Sequence, residues 1–153
     1  MGLKYDVASV LERETATTIF NWYRLVEAEP SLTRIPLSHE DRCAHLPGMF
    51  RDLVYRLNNP LPLGTRALKS SAANQHGKLR REQGYTATMI VEESRMLQVS
   101  IFETLQRNIE DTRPGVLLLY VMTIADEVDS QLAQAMTSFI EPADHDAALD
   151  RIL

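Results

Sequence analysis

Four polar residues in the middle of the chain have the types used in acid–base or ligand chemistry: His76, Arg80, Tyr85 and Glu93. A histidine and a carboxylate that meet can share a proton and act as an acid–base pair. An arginine beside them can pair with the carboxylate or hold an anion. These residues are therefore candidates for a polar network or signal site, and the segments that carry them decide whether they meet.

Two helical patterns separated by Gly84 carry these residues. Segment 65–83 has an apolar stripe at spacings of four, four and three, and His76 is part of it. Segment 86–110 has a similar stripe, with Glu93 on or beside it. Gly84 is suited to end the first helix in a left-handed conformation. We therefore expect an antiparallel hairpin of 65–83 against 86–110 at the centre of the fold.

His76 and Glu93 should lie at the same height in this hairpin, because they are eight and nine residues from Gly84. At a rise of about 1.5 Å per residue, that height is roughly 12–13 Å from the turn. We expect the two side chains to share a hydrogen bond, with the carboxylate favouring the imidazolium form. Arg80 lies one helical turn closer to Gly84 and could pair with Glu93 or hold an anion.

Gly77 lies in the middle of the first predicted helix, where a glycine costs about 1 kcal/mol relative to alanine. Such a glycine usually allows another element to approach closely. The network beside it could be a buried lock on helix register, a polar ligand pocket or switch, or a metal or haem site. One histidine and one carboxylate are too few ligands to indicate a metal site, so we expect no metal and no cofactor.

Three other segments have helical periodicity, and strand signals are nearly absent. They are 6–28, 39–58 and 114–140, and Pro47 should kink the second or divide it into two short helices. Trp22 lies on the apolar face of the first segment and is interpreted as a core anchor. The sequence thus predicts an all-α helical bundle of about five main helices.

The domain is expected to cover residues 1–141, with 142–153 as a tail that could lead to a missing output domain. The helix 114–140 has apolar residues at alternating spacings of three and four over three heptads. This pattern fits a bundle core stripe or a dimer seam, and we favour a bundle that also forms a homodimer through 114–140. The residues of this predicted seam are Leu118, Val121, Ala125, Val128, Leu132, Ala135 and Phe139.

Composition narrows the functional classes. A net charge of −5 argues against non-specific nucleic-acid binding, which needs a basic surface. No run of about 18 apolar residues predicts a membrane span, and the N-terminus lacks a signal-peptide pattern. Cys43 is the single cysteine, so no intramolecular disulfide can form, and a reducing, cytoplasmic location fits. We interpret Cys43 as a packing residue.

The pattern His76-Gly77-x-x-Arg80-x-x-x-Gly84-Tyr85, followed by Glu93, resembles the N-terminal domain of RsbRD-type anti-sigma-factor antagonists. A similar module is found at the N-termini of some bacterial sensor histidine kinases. The resemblance is best over 65–140. Ser94 departs from it, because a large or aromatic residue would be expected after the glutamate.

The resemblance implies an all-α, non-catalytic input or interaction module of bacterial signal transduction, in a stress-response setting. The expected partners are a second copy and a downstream output domain or regulatory protein. Two alternatives stay open from the residues. One is a helical protein that binds a small molecule or haem, and the other is a helical enzyme that uses His76 and Glu93 as acid and base.

Overall fold

Every element that the structure describes is an α-helix. The computed structural model describes residues 6–65, 69–108 and 114–140. The predicted all-α bundle is confirmed, and the described residues contain no strand. The helices are α1 (Val7–Arg13), α2 (Thr15–Glu27), α3 (Pro30–Thr33), α4 (His39–Cys43), α5 (Leu46–Asn58), α6 (Ser71–Glu82), α7 (Ala87–Asn108) and α8 (Pro114–Ile140).

The predicted helix 6–28 is divided in two at Glu14, so its continuity was predicted wrongly. Glu14 has φ −97° and ψ 15°, outside the helical region. The hydroxyl of Thr15 donates to the carbonyls of Leu11 (2.8 Å) and Glu12 (3.0 Å). Threonine hydroxyls compete in this way with the backbone for carbonyl groups, and periodicity alone does not reveal the break.

The predicted interruption of 39–58 is confirmed as two short helices, α4 and α5. The break lies at residues 44–45, just before Pro47. Pro47 is in the first turn of α5, where its missing N–H leaves no hydrogen bond unmade. Ser38 caps α4, because its hydroxyl accepts a hydrogen bond from the Asp41 amide at 3.1 Å.

The first arm of the hairpin begins later than predicted, at Ser71 rather than Thr65. Ser70 is the N-cap, and its hydroxyl accepts from the Ala73 amide at 3.0 Å. The Thr65 hydroxyl instead donates to the carbonyl of Pro62 at 2.6 Å. Leu68, which was predicted to join the apolar stripe, lies outside the described residues.

The turn between α6 and α7 forms as predicted around Gly84. The two helices do not pack against each other along their length as the predicted central hairpin requires; α6 packs mainly on α8, and α7 mainly on α2 and α8. Gly84 has φ +88°, and its amide donates to the carbonyl of Arg81 at 3.1 Å. The amide of Tyr85 donates to the carbonyl of Arg80 at 3.0 Å. These two bonds form a Schellman motif, which ends α6 and turns the chain into α7. The last two residues of the predicted second arm, 109–110, lie outside the described residues.

α8 packs against α5, α6 and α7, but its inward face differs from the predicted seam. Of the seam residues, only Val128 and Ala135 are buried, and Leu118 is 59% exposed. The buried face consists of Ile124, Glu127, Val128, Gln131 and Ala135. Polar side chains thus occupy positions that a count of apolar residues passes over. The tail 142–153 lies outside the described residues.

Candidate functional site: a buried ionic network

Glu93 is the centre of the candidate site, and its side chain is only 3% exposed. The carboxylate accepts hydrogen bonds from Arg80 Nε at 2.9 Å and from Arg80 Nη2 at 3.3 Å. It also accepts from the Tyr85 hydroxyl at 2.8 Å. The structure therefore brings together three of the four predicted residues, Arg80, Tyr85 and Glu93, at the α6–α7 hairpin.

Arg80 is completely buried, and each of its side-chain nitrogens donates a hydrogen bond. Besides its bonds to Glu93, it donates to Gln83 Oε1 at 2.7 Å and to the carbonyl of Arg42 at 2.6 Å. Its guanidinium carbon lies 4.6 Å from the centre of the Tyr85 ring. Of the two roles predicted for Arg80, pairing with Glu93 is the one observed.

Arg42 is a member of the network that the sequence interpretation missed. Its side chain is 1% exposed and donates to the Tyr85 hydroxyl and to the carbonyl of Ile35, the latter at 2.9 Å. Its Nε lies 3.7 Å from the carboxylate of Glu27, which is 44% exposed. Helical periodicity gave no signal for its burial, because α4 ends at Cys43, one position after Arg42.

His76 is buried as predicted, but Glu93 accepts its hydrogen bonds from Arg80 and Tyr85 instead. The His76 ring lies edge-on to His45, with 6.1 Å between ring centroids. Burial, reinforced by the charge of Arg80 and by His45, lowers the pKa of His76 well below its usual 6.5. The expectation of an imidazolium at His76 is therefore wrong, because burial and the positive charge of Arg80 favour the neutral ring.

Burial raises the pKa values of both acids of the network, the Glu93 carboxyl and the Tyr85 phenol. Burial raises the pKa of the Glu93 carboxyl, and the charge of Arg80 and the hydrogen bonds from Tyr85 and Arg80 oppose this. Burial and the charge of Glu93 also raise the pKa of Tyr85, so this phenol stays protonated and donates. The three hydrogen bonds that Arg80 and Tyr85 donate to the carboxylate favour its ionised form and oppose the effect of burial.

His76 should make the protein less stable as the pH falls below about 6.5. The unfolded histidine binds a proton there, whereas the folded one has a lowered pKa and does not, so protonation favours unfolding. The slope from one such group is up to about 1.4 kcal/mol per pH unit. Urea unfolding of the wild type and of a His76→Asn variant, at several values between about pH 7.5 and 5.5, measures this difference.

His45 also has a lowered pKa because of burial and Arg80, so it adds to the same trend in both proteins. Burial raises the pKa of Glu93 and of Glu127, and these groups act in the opposite direction as the pH falls. Comparison with His76→Asn separates the His76 contribution from all of these. Equal pH slopes in the two proteins would show that His76 does not titrate differently on folding.

His76 and Glu93 do share one surface, the wall of an interior cavity that Trp22 and Ser94 also line. The cavity offers about 20 Å³ to water centres, which is room for about one water molecule. Small-molecule sites are usually of several hundred cubic ångströms, so neither haem nor a metabolite fits here. The indole of Trp22 donates to the backbone carbonyl of Glu93 at 3.0 Å, which ties α2 to the network.

Gly77 lies against the backbone of α8, as its place in mid-helix predicted. A Cβ added at Gly77 would be 1.9 Å from the carbonyl oxygen of Ala135. On the same side of α6, Arg81 Nη1 donates to the carbonyl of Phe139 at 2.7 Å and to that of Ile140 at 3.2 Å. α6 is therefore joined to α8 by close backbone contact and by a cap on the last turn.

A second buried ionic cluster, which the sequence interpretation also missed, joins α5 to α8. Arg56 donates to Glu127 at 3.2 Å and to Asp126 at 2.8 Å, and its side chain is 1% exposed. Gln131 Nε2 donates to Glu127 and to the carbonyl of Met49, each at 3.0 Å. The spacing of 127 and 131 on an otherwise apolar helix face was the available signal.

Cys43 is buried, and burial raises the pKa of its thiol, which disfavours the reactive thiolate. Within residues 6–65, 69–108 and 114–140, no three His, Cys, Asp or Glu side chains are grouped as metal ligands would be. None of the helices described above is both long and apolar enough to cross a lipid bilayer. No protein-family model, curated protein or solved structure matches the chain significantly.

Proposed function

We propose that this chain is a non-catalytic regulatory module of bacterial signal transduction. It acts in the cytoplasm as a sensor or interaction domain, upstream of a kinase or anti-sigma-antagonist output. The observation that carries the proposal is the buried network of Arg42, Arg80, Tyr85 and Glu93 at the hairpin. Losing one hydrogen bond of such a buried network leaves a charge unpaired, which is costly. Its members therefore tend to change conformation together, as the moving part of a switch does.

The burial of the network favours regulation over catalysis. An acid–base pair must reach its substrate, but His76 is 6% exposed and Glu93 is 3% exposed. Arg80 and Tyr85 already occupy the Glu93 carboxylate. The lowered pKa of His76 keeps the ring neutral, so it is no ready proton donor at neutral pH.

The contacts of α6 give a physical route from the network to the longest helix. Arg80 and Gly77 are one turn apart on α6, and Gly77 lies against the Ala135 backbone of α8. Arg81, next to Arg80, donates to the last carbonyls of α8. A shift of α6 that follows a change at Glu93 would therefore displace α8, and in this proposal α8 passes the change to a second copy through 114–140.

The resemblance to RsbRD-type N-terminal domains supports the same role. The residues that carry it include those of the network, Arg80, Tyr85 and Glu93. They also include Gly77, which permits the close contact with α8, and Gly84, which forms the turn. One set of residues thus accounts for both the resemblance and the coupling of hairpin to helix.

Amide hydrogen exchange of a Glu93→Gln variant tests this coupling. Glutamine keeps the shape of the side chain but removes the charge that Arg80 neutralises. We expect amides of 114–140 to exchange about tenfold faster or more, which corresponds to about 1.4 kcal/mol of lost protection.

The control is the double variant Thr18→Val, Thr104→Val. It removes a buried hydroxyl pair, 2.6 Å apart, that joins α2 to α7, and the other hydrogen bonds of these hydroxyls go to the carbonyls of Glu14 and Ser100, not to α6 or α8. If Glu93→Gln alters exchange only within α6 and α7, or alters α8 no more than the control does at equal loss of stability, the network is a structural lock and the proposal fails.

A further inference from the structure

The first part of α8 is apolar on its outer face as well as on its inner one. Residues 114–125 include no charged side chain. Leu118 is 59% exposed, Leu119 57% and Met122 46%. A helix that is apolar all round is normally covered, so this segment has an outer face without a partner in the described part of the chain.

An apolar groove lies beside these exposed side chains. It has a volume of about 280 Å³ and runs between α7 and α8, lined by Phe102, Leu105, Gln106, Leu117 and Val121. Leu118 and Met122 each follow a groove residue by one position, so they project about 100° further round α8. Projecting side chains and a groove of matching character therefore stand side by side on one face.

We infer that a second copy of this chain binds this face, with Leu118 and Met122 of each copy entering the groove of the other. A two-fold axis makes such a contact reciprocal, because the same surface serves as knob and as hole. The inference rests on the proposed dimer through 114–140 and deepens it. It assigns the contact to the first half of the helix and to the edge of α7.

Charge favours a copy of the same chain over a charged partner. Each copy carries a net charge of −5, so two copies repel each other where charged faces meet. The segment 114–125 has no charge on either face, so the copies can approach there without this repulsion. It likewise offers nothing to a phosphate, a basic peptide or an acidic one.

The size of the face predicts a weak dimer. Residues 114–125 alone cover roughly 180 Å², about 18 Å of helix by about 10 Å, which is less than each partner buries in a stable complex. Phe102, Leu105 and Gln106 of α7 line the groove and extend the face beyond α8. A contact of this size corresponds to a weak dimer, so we expect association toward the upper end of the tested concentrations.

Sedimentation velocity of the full chain, at about 1–100 μM, tests the inference. We expect the wild type to dimerise and the double variant Leu118→Lys, Met122→Lys to raise the dissociation constant about tenfold or more. Phe20→Lys and Tyr55→Lys are matched controls, because both side chains are 55% exposed on other helices. Circular dichroism confirms that each variant folds, and Leu118→Ser, Met122→Ser replaces the lysine pair if it does not.

A dimer lost in the α8 variants and kept in both controls supports the inference. A dimer that survives the α8 variants overturns the inference but leaves the proposed dimer in place elsewhere. A wild type that stays monomeric over this range overturns both, while hydrogen exchange of Glu93→Gln still decides the proposed coupling. Equal loss of the dimer in the controls overturns the inference by showing that no particular face is used.

Discussion

An Arg80→Met variant should lose about 3–5 kcal/mol of its free energy of unfolding, as expected when one partner of a buried ion pair is removed. Arg80 is fully buried and donates to Glu93, Gln83 and the carbonyl of Arg42. Without it, the Glu93 carboxylate stays in the interior with only the Tyr85 hydroxyl as donor. Urea unfolding followed by circular dichroism at neutral pH measures the loss.

The double variant Arg80→Met, Glu93→Leu separates the value of the pair from the cost of leaving a charge unpaired. Apolar residues of similar volume often replace a buried pair with little loss, so we expect the double variant to be more stable than Arg80→Met alone. Arg95→Met is the surface control, because its ion pair with Glu92 is exposed, and little change is expected. A double variant no more stable than Arg80→Met would show that the charge at Glu93 is not the source of the loss.

A Gly77→Ala variant should be destabilised by at least about 2 kcal/mol, although alanine favours a helix by about 1 kcal/mol. The added Cβ would lie 1.9 Å from the Ala135 carbonyl oxygen and 2.6 Å from its carbonyl carbon. These are backbone atoms of a helix and cannot rotate away, so α6 and α8 must separate. Thermal and urea unfolding report the change, and hydrogen exchange in 129–140 should rise with it.

Gly115→Ala is the matched control, since it makes the same substitution in the first turn of α8. No atom lies within 4 Å of the added Cβ at Gly115, so only helix propensity acts, and a gain of up to about 1 kcal/mol is expected. A Gly77→Ala variant as stable as the wild type would mean that α6 and α8 are not in backbone contact.

The sequence was enough to predict that His76 and Glu93 lie at the same level along the two helices. It was not enough to predict which side chains donate hydrogen bonds to Glu93. Nearly equal distances from Gly84, eight and nine residues, placed His76 and Glu93 on one cavity wall, because helical rise is nearly constant. Which donor reaches the carboxylate depends on side-chain length and on the available rotamers. Arg80 is one turn closer to Gly84, yet its long side chain reaches Glu93 with two nitrogens.

The charged residues that were missed in the two buried ionic clusters share one cause. Arg42, Arg56 and Glu127 are charged, so a search for apolar stripes assigns them to solvent, whereas each is at most 2% exposed. Their burial depends on partners from distant parts of the chain, as Arg56 and Glu127 show across 71 positions. Periodicity finds the face of a helix but does not reveal such pairs.

The helix ends followed local hydrogen bonds more than periodicity. The Schellman turn at Gly84 was predictable, because a glycine just after a helical pattern usually adopts the left-handed conformation that ends the helix. The break at Glu14 and the start of α6 at Ser71 depend on hydrogen bonds of the Thr15 and Ser70 hydroxyls. Other hydroxyl-bearing residues nearby could form the same kinds of bond, so the sequence did not single out these two.

The proposed regulatory role is tested most directly in the organism that carries this chain, with Glu93→Gln introduced at the native locus. The readout is the whole set of transcripts under stress, with protein abundance checked by immunoblot. We predict a transcript profile that differs from the wild type, while the Thr18→Val, Thr104→Val strain keeps the wild-type profile at equal abundance. A Glu93→Gln strain with normal protein abundance and an unchanged profile would contradict the regulatory role of the network.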